Sequence, residues 1–389
     1  MIENSREKKK KALRIDWFTI IVVLALVAIG LVSIASIMAS PFSGSERTLS
    51  DYLEKLNLEF VQRQAQNFLV GVAAMLVMLV FDFHIYKSVI NYIYIANIGV
   101  ILLLFAFGVI RGGAQGWFAL DSINRAVQPA ELSKVTLIVI ISKYVSAAMD
   151  KDGKLVRFKD IMICVALCAL PAGLIIMQND LGSALVLIVI LVIILFVGRI
   201  SWKWIVSAAA AMLIGSPLLY FYVLSDFQRK RIDVFLNPEL DPLKSGYNVI
   251  RAKMSIGSGQ LYGKGYFTQG TLAQLRFVPE RHTDFIFAGI GEGLGFVGGV
   301  AIICLYFALA FRWLWTAIKA NDSFGTCMVT GAIGMLMAHT FENIGMNIGL
   351  MPVTGIPLPF ISYGGSNLLT NMMVVGIVLN VHMRRPQKR

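Results

Sequence analysis

Long runs of apolar residues recur along the chain and are separated by shorter polar segments. Ten of these runs approach or exceed the roughly 20 residues that an α-helix needs to cross a bilayer. The runs fall at 17–39, 66–83, 87–110, 130–149, 161–178, 181–198, 204–224, 284–311, 327–350 and 368–383. The pattern predicts an all-α polytopic membrane protein of about ten transmembrane helices, with one integral membrane domain over residues 1–389.

The composition agrees with this prediction. Hydrophobic residues make up 57% of the 389 residues and charged residues only 15%, against about 25% in an ordinary soluble domain. So few charges exclude an aqueous enzyme and a disordered or fibrous protein. The four cysteines lie in or beside apolar runs, without metal-binding spacing, and are interpreted as packing residues.

Basic residues are distributed unevenly among the connecting segments. Placing the N-terminus in the cytoplasm puts most of them on the cytoplasmic side, including the basic segment 1–16 and the tail 384–389. The first apolar run is too long for a signal-peptide core, so segment 1–16 is interpreted as an anchor. Membrane topology therefore explains the net charge of +12, and no nucleic-acid partner is expected.

The segment 225–283, between the seventh and eighth spans, breaks this charge pattern. It forms a large predicted extracellular loop with nine basic residues, several glycines and prolines, and interleaved apolar residues. Turns with short helices between them are expected there. Two interpretations remain open: a solvated or headgroup-facing surface, and a site for an anionic substrate such as a pyrophosphate.

The end of this loop carries the most conspicuous polar cluster. Asp284 lies where the loop enters the eighth span, so it is either a helix cap or, beside so many cations, a general base. The neighbouring candidates for substrate binding are Glu280, Arg281, His282 and Thr283.

Two more clusters lie near the outer ends of spans. Glu131 and Lys134 are three residues apart on one helix face, which fits either a local ion pair or a charged pair lining a cavity. Asp180, in the turn 178–183, either caps the sixth span or contributes to a site. All three are candidates for catalytic support.

The segment 352–366 contains three prolines and three glycines and is predicted to be non-helical at membrane depth. Such backbone is tolerated only where it is buried in protein or lines a cavity. Its candidates for binding an anion or a sugar are Ser362, Gly364, Gly365 and Ser366. Arg111, on the second outer loop, is either an interface anchor or part of a basic site.

Three ionisable residues lie inside predicted spans, and we expect packing or pairing partners for them: Glu292, His339 and Glu342. The chain lacks the nucleotide-binding, dinucleotide-binding and zinc-hydrolase motifs. Because the polar clusters converge on the outer ends of spans, the sequence favours a single outward-facing site.

In this order, the motifs resemble those of the SEDS family (shape, elongation, division and sporulation proteins). The resemblance covers nearly the whole chain, and segments 279–287 and 343–366 carry it most specifically. Segment 353–359 is more similar to the elongation branch. The resemblance implies a peptidoglycan glycosyltransferase that polymerises lipid II at the outer face of a bacterial cytoplasmic membrane. It also implies a class B penicillin-binding protein as partner, which crosslinks the strands.

The resemblance also implies residue roles. The family's essential aspartate matches Asp284, its glutamate and lysine after a Gln-Pro pair match Glu131 and Lys134, and its acidic turn residue matches Asp180. The turn departs slightly from the family pattern, with Asn179 and Ser183 where proline and threonine are usual. Where the family often has an arginine before the tryptophan of the second outer loop, this chain has Gly116. A basic role there rests on Arg111 or Arg125, or is absent.

The chemistry of a glycosyl diphosphate donor sets the requirements of such a site. Pyrophosphate leaves readily, so the reaction needs a base and cations rather than a general acid. Asp284 is the hypothesised base, and loop cations, with Mg²⁺ or another divalent cation, would hold the pyrophosphate. Asp284 as the metal ligand is the alternative. No organic cofactor is expected. A lipid II flippase and a non-catalytic scaffold remain the competing functions.

Overall fold

The computed structural model describes residues 15–40, 56, 58–111, 114–120, 125–241, 245–268, 270–272, 275 and 277–385. Within them the chain forms twelve α-helices and one small antiparallel sheet. The helices are α1 Trp17–Met38, α2 Leu58–Val80, α3 Phe83–Phe107, α4 Pro129–Asp152, α5 Phe158–Met177, α6 Leu181–Val197, α7 Trp202–Leu218, α8 Asp226–Leu236, α9 Ser245–Ser258, α10 Ile286–Ile318, α11 Ser323–Ile348 and α12 Gly365–Met383. The strands are β1 Val109–Arg111, β2 Ala114–Leu120 and β3 Arg125–Val127.

The predicted spans all appear as helices. Nine helices of the described chain are long and apolar enough to cross a membrane, where α7 is counted together with the π-helical turn Leu219–Val223 that extends its span to Tyr222. The apolar helix α6 is shorter, with 17 residues. The protein is therefore a multi-pass membrane protein, as the sequence predicts. Several helices extend beyond their apolar runs: α2 begins at Leu58, and α10 continues to Ile318.

The helices α11 and α12 form the centre of the bundle. Helix α11 packs against α4, α6 and α10, while α12 packs against α2 and α4. Most residues of both helices are buried. This position explains how polar residues on α11 and α12 stay inside the protein and away from the lipid.

The small sheet is the one departure from an all-helical fold in the described chain. The strands β1, β2 and β3 form an antiparallel meander between α3 and α4, with Phe118 opposite Val127. These strands are three to seven residues long, so hydrophobic periodicity predicted only a polar loop there.

The large loop contains the two helices α8 and α9, in agreement with the predicted short helices. Glu292, buried in α10, holds the following segment of the loop in place. Its carboxylate accepts hydrogen bonds from Lys264 Nζ, Ser255 Oγ and the Leu272 amide, each at 2.9 Å. Glu292 thus has the pairing partners that an intramembrane carboxylate was expected to need. Gly263, with φ of 81°, lies so close to the Gly293 carbonyl that a side chain would not fit.

Candidate active site

Asp284 lies immediately before α10 and is held there by its backbone. Its carbonyl oxygen accepts hydrogen bonds from Asn343 Nδ2 at 2.9 Å and Asn347 Nδ2 at 3.0 Å, both on α11. The N-cap of α10 is Phe285, which makes no side-chain cap bond. The capping interpretation of Asp284 is therefore wrong, and its carboxylate is available for other chemistry.

The non-helical segment 352–364 packs against the residues that precede α10. Ser362 Oγ donates to the Thr283 carbonyl at 2.7 Å, and the Tyr363 amide donates to the His282 carbonyl at 2.9 Å. Gly355 lies beside the Asp284 carboxylate, since a Cβ at Gly355 would be 3.6 Å from its Oδ2. The irregular backbone at membrane depth therefore lines the site.

Arg231 brings a cation to this site from α8. Its Nη1 donates to the Thr354 carbonyl at 3.2 Å, and its charge acts on both Asp180 and Asp284. The guanidinium packs over the Phe227 ring, 4.6 Å from the centroid. In the sequence Arg231 is only one of nine basic loop residues, with no local signal that distinguishes it.

Asp180 both caps a helix and joins two elements. Its Oδ1 accepts from the Ser183 amide at 3.0 Å at the start of α6, and its Oδ2 accepts from Gln128 Nε2 at 2.9 Å. The Gln128 amide in turn donates to Ser366 Oγ at 3.1 Å, which reaches the start of α12. Asp180 and Ser366 thus help to fix the helix ends around the site.

Glu131 and Lys134 form an ion pair inside the bundle. Lys134 Nζ lies 2.5 Å from Glu131 Oε1, with exposed fractions of 0% and 2% for the two side chains. Asn367 Nδ2 on α12 also donates to Glu131 Oε2, at 3.4 Å. Both partners lie on α4, so the ion pair is local, as one of the two interpretations expected. The pair also contacts α12 through Asn367.

Two more ionisable residues of α11 lie near this pair. Lys134 acts electrostatically on both His339 and Glu342. His339 Nδ1 lies 3.4 Å from Asn367 Nδ2, and both the charge of Lys134 and the side chain of Thr354 act on the Glu342 carboxyl group. The expectation that these intramembrane residues have pairing partners is therefore met for both.

The remaining predicted residues frame the turn before α10. Arg281 is buried and its Nε donates to the Ile37 carbonyl at 3.2 Å, while Thr283 Oγ1 donates to Glu280 Oε2 at 3.1 Å. Glu280 itself is exposed. The His282 ring lies 5.1 Å from the Phe60 ring, and its burial lowers the pKa of the imidazole.

Three predicted residues contribute little more to this geometry. The Gly364 amide donates to Gln64 Oε1 at 3.2 Å, and Gly365 lies against Asn67. Arg111 ends β1, and its side chain lies outside the described part of the structure, so its assignment stays a prediction.

The surroundings of Asp284 favour its protonated form. Burial raises the pKa of its carboxyl to about 7, the charges of Glu280 and Asp180 act in the same direction, and Arg231 opposes them. A carboxylate with a pKa near neutrality is matched to general-base work because it can both accept and release a proton.

An open hollow adjoins the site on the loop side. This shallow hollow lies between α8, α9 and the start of the irregular segment, and it is lined in part by Arg231, Lys253 and Met351. Arg231 thus borders both the hollow and the Asp284 region.

The bundle of membrane-spanning helices and the carboxylate site at one end of it are those of a polytopic membrane enzyme. Comparison with known sequences identifies its family. The chain matches the family model described as cell cycle protein, which comprises FtsW, RodA and SpoVE, over residues 16–387. It is 37% identical over 329 residues to peptidoglycan glycosyltransferase MrdB of Escherichia coli, covering 85% of this chain and 87% of MrdB. It is 33% identical over 374 residues to stage V sporulation protein E of Bacillus subtilis, covering 94% and 96% of the two chains. The chain belongs to this family, the SEDS proteins.

Solved structures agree in fold. A chain from a peptidoglycan synthase complex that coordinates polymerization and crosslinking matches with a TM-score of 0.78 at 28% identity, covering 97% of this chain and 100% of that chain. RodA of Thermus thermophilus matches with a TM-score of 0.68 at 25% identity, covering 97% and 99%. The resemblance derived from the motifs is thereby confirmed.

Proposed function

We propose that this protein is a peptidoglycan glycosyltransferase that polymerises lipid II into glycan strands during cell elongation. The observation that carries the proposal is the state of the Asp284 carboxylate. It does not cap α10, it interacts with the charge of Arg231, and its pKa is about 7. The names of relatives support the same activity, since MrdB is named a peptidoglycan glycosyltransferase.

In the proposed reaction, Asp284 takes the proton of the acceptor sugar hydroxyl. The hydroxyl oxygen then forms a bond to the anomeric carbon of the donor, and the bond from that carbon to the diphosphate breaks. The electron pair leaves with the diphosphate, and the proton remains on Asp284. Arg231 and Lys253, which line the adjoining hollow, offset the negative charge that develops on the diphosphate.

A divalent cation such as Mg²⁺ fits the chemistry of this donor set. Protein sites for Mg²⁺ commonly use one or two carboxylates together with substrate phosphates, and Glu280 and Asp284 interact electrostatically. Within the described residues there is no cluster of three or more histidine, cysteine, aspartate or glutamate side chains that would hold a metal alone. A bound cation would neutralise charge on the diphosphate.

The membrane orientation and the partner belong to the same proposal. The positive-inside rule supports cytoplasmic termini and an extracytoplasmic Asp284 end. The related chain in a peptidoglycan synthase complex supports a class B penicillin-binding protein as partner. Lipid II would enter with its tails among membrane lipids and its headgroup at the site.

The direct test uses proteoliposomes that contain the protein, its cognate penicillin-binding protein with the transpeptidase blocked, and purified lipid II. We expect glycan strands, detected by gel separation of labelled product. Movement of fluorescent lipid II between leaflets without strands would instead favour the flippase. Neither strands nor movement would favour the scaffold.

The rate of polymerisation should rise with pH and reach half of its maximum near pH 7. The sign follows because Asp284 is a base only when ionised, and its pKa is about 7. The measurement is kcat/KM from about pH 5 to about pH 9. The variant Glu280→Gln removes a negative charge that raises this pKa, so its midpoint should lie at lower pH. A rate that falls across this range would contradict the base assignment.

A further inference from the structure

Helix α10 consists of two helical segments that meet at Gly295. The backbone of Gly295 has φ of 67° and ψ of −166°, which lies outside the helical region. We call residues 286–294 the first segment and residues 296–318 the second segment. Asp284 lies just before the first segment, which is almost entirely buried. Because the helix is broken, the second segment does not fix the direction of the first, so contacts from outside α10 hold Asp284 in place.

A piece of the large loop occupies this break. In an unbroken helix, the carbonyls of residues 292 and 293 accept hydrogen bonds from the amides four residues later. Here each of these four backbone groups bonds to loop residues 259–265, which we call the strap. The bonds run from the Lys264 amide to the Glu292 carbonyl and from the Gly265 amide to the Gly293 carbonyl, both at 2.9 Å, from the Phe296 amide to the Gln260 carbonyl at 2.9 Å, and from the Val297 amide to the Leu261 carbonyl at 3.1 Å. The strap therefore joins both segments of α10.

Glycines allow the strap to lie directly on the helix backbone. A Cβ at Gly263 would collide with the Gly293 carbonyl, and Gly263 also has φ of 81°. A Cβ at Gly259 would collide with the Gly291 carbonyl. Any side chain at either position would push the strap away from α10.

The side chain of Glu292 joins the first segment to the loop on both sides of the strap. Glu292 is 1% exposed. The groups that donate hydrogen bonds to its carboxylate include Ser255 Oγ at 2.9 Å, Ser258 Oγ at 3.2 Å, Lys264 Nζ at 2.9 Å and the Leu272 amide at 2.9 Å. Hydrogen bonds to an ionised group are among the stronger ones. This carboxylate is therefore a principal attachment between the loop and the first segment.

The first segment is also attached to α11. The Ala288 amide donates to Asn347 Oδ1 at 3.1 Å, and Asn347 Nδ2 donates to the Asp284 carbonyl at 3.0 Å. Two attachments thus hold the first segment: the asparagine side chains of α11 near Asp284, and Glu292 with the strap near Gly295. If the second attachment is lost, the end near Gly295 can shift while the contacts to α11 remain.

We propose that Glu292 is a positioning residue, which fixes the first segment of α10 against the large loop and thereby holds Asp284 where the reaction needs it. This inference rests on the proposed function. The Glu292 carboxylate is occupied by groups of the loop, so it acts through the position of the first segment and not on the reacting atoms. A misplacement of about 1 Å in a catalytic group can lower the rate about 100-fold.

The first test is the variant Glu292→Gln in the proteoliposomes with lipid II. Glutamine has the same size, but its amide nitrogen faces donors where the carboxylate accepted hydrogen bonds. We expect the polymerisation rate to fall about 10- to 100-fold.

Hydrogen–deuterium exchange of the same purified proteins separates positioning from a general loss of stability. In Glu292→Gln, the amides of residues 283–294 should exchange at least about tenfold faster, whereas those of residues 300–318 keep the wild-type rate. A general loss of stability would instead accelerate exchange throughout the chain.

The strap offers an independent variant and a matched control. Gly263→Ala separates the strap from α10 without changing Glu292, and we expect the same local exchange and the same loss of rate. The control is Gly270→Ala. Gly270 also has a positive φ, of 75°, but no described atom lies within 4 Å of a Cβ placed there, so the control should keep the wild-type rate.

The double variant Glu292→Gln with Gly263→Ala tests whether both changes act through the same attachment. Its rate should lie within about twofold of the slower single variant, whereas independent effects would multiply. Gel filtration identifies any variant that does not fold, and either single variant alone is sufficient for the exchange test.

Three results would overturn the positioning role. The first is uniform or unchanged exchange in Glu292→Gln. The second is locally faster exchange together with the wild-type polymerisation rate. The third is an equal effect of Gly263→Ala and Gly270→Ala, which would indicate backbone strain alone. Absence of strands with the wild-type protein would overturn the proposed function itself, and the exchange data would still decide whether Glu292 holds Asp284 in place.

Discussion

Replacing Asp284 by asparagine lowers the rate of glycan polymerisation by about 100- to 10,000-fold, the usual contribution of a general base. Asparagine has nearly the same shape but cannot accept the proton of the acceptor hydroxyl. The two hydrogen bonds that position residue 284 go to its backbone carbonyl, from Asn343 and Asn347, so the substitution leaves them in place. The loss of rate therefore reports on the carboxylate itself.

The measurement compares wild type and Asp284→Asn in the same proteoliposomes with lipid II. The control is Glu239→Gln, an exposed carboxylate in the large loop, which should keep the wild-type rate. Equal gel-filtration profiles and equal capture of the penicillin-binding protein establish that both variants are folded. If Asp284→Asn retained more than about a tenth of the wild-type rate, a base role for Asp284 would be untenable.

The number and order of the membrane-spanning helices could be predicted because each span is recognised from its own stretch of sequence. Each span needs an apolar run long enough to cross the bilayer, whatever its neighbours are. Helix ends follow other rules. The helix α2 begins eight residues before its apolar run, where Arg63 and Glu59 pair at 2.6 Å across one turn. Outside the hydrocarbon, such local polar contacts decide where the helix begins.

Part of the site was equally accessible from sequence. Asp284, Asp180 and the pair of Glu131 and Lys134 are conspicuous because they lie within or directly beside apolar runs, where acidic residues are few. Capping by Asp180 was one of the two interpretations that local turn chemistry left open, and the structure shows the cap and adds a bond to Gln128.

Other parts of the site could not be predicted from local pattern. Asn343 and Asn347 hold a backbone carbonyl roughly 60 positions earlier, at separations of 59 and 63 residues. An asparagine that binds a distant backbone atom has no sequence signature. Arg231 shares its residue type with its loop neighbours, and only the packing of α8 brings it to Thr354. These contacts depend on how helices pack, which single-helix patterns do not contain.

Replacing Lys134 by methionine destabilises the protein by about 3–5 kcal/mol, because it leaves a charged partner buried without compensation. Lys134 is fully buried and Glu131 is 2% exposed, so water cannot take over the role of the lost ammonium. The double variant Glu131→Leu with Lys134→Met removes both charges and should recover most of the lost stability. Thermal unfolding in detergent measures both effects. A double variant as unstable as Lys134→Met would contradict the assignment of Glu131 as the partner.

The polymerisation rate of the double variant separates two roles of this pair. If the pair positions the helices around Asp284, the double variant is folded yet at least about tenfold slower than wild type. A folded double variant with the wild-type rate would show that the pair contributes to stability and not to the reaction.

The single variant Glu131→Gln should destabilise the protein less than Lys134→Met does. Lys134 would keep Glu342 within electrostatic range, whereas loss of the lysine leaves two buried carboxyl groups without their shared cation.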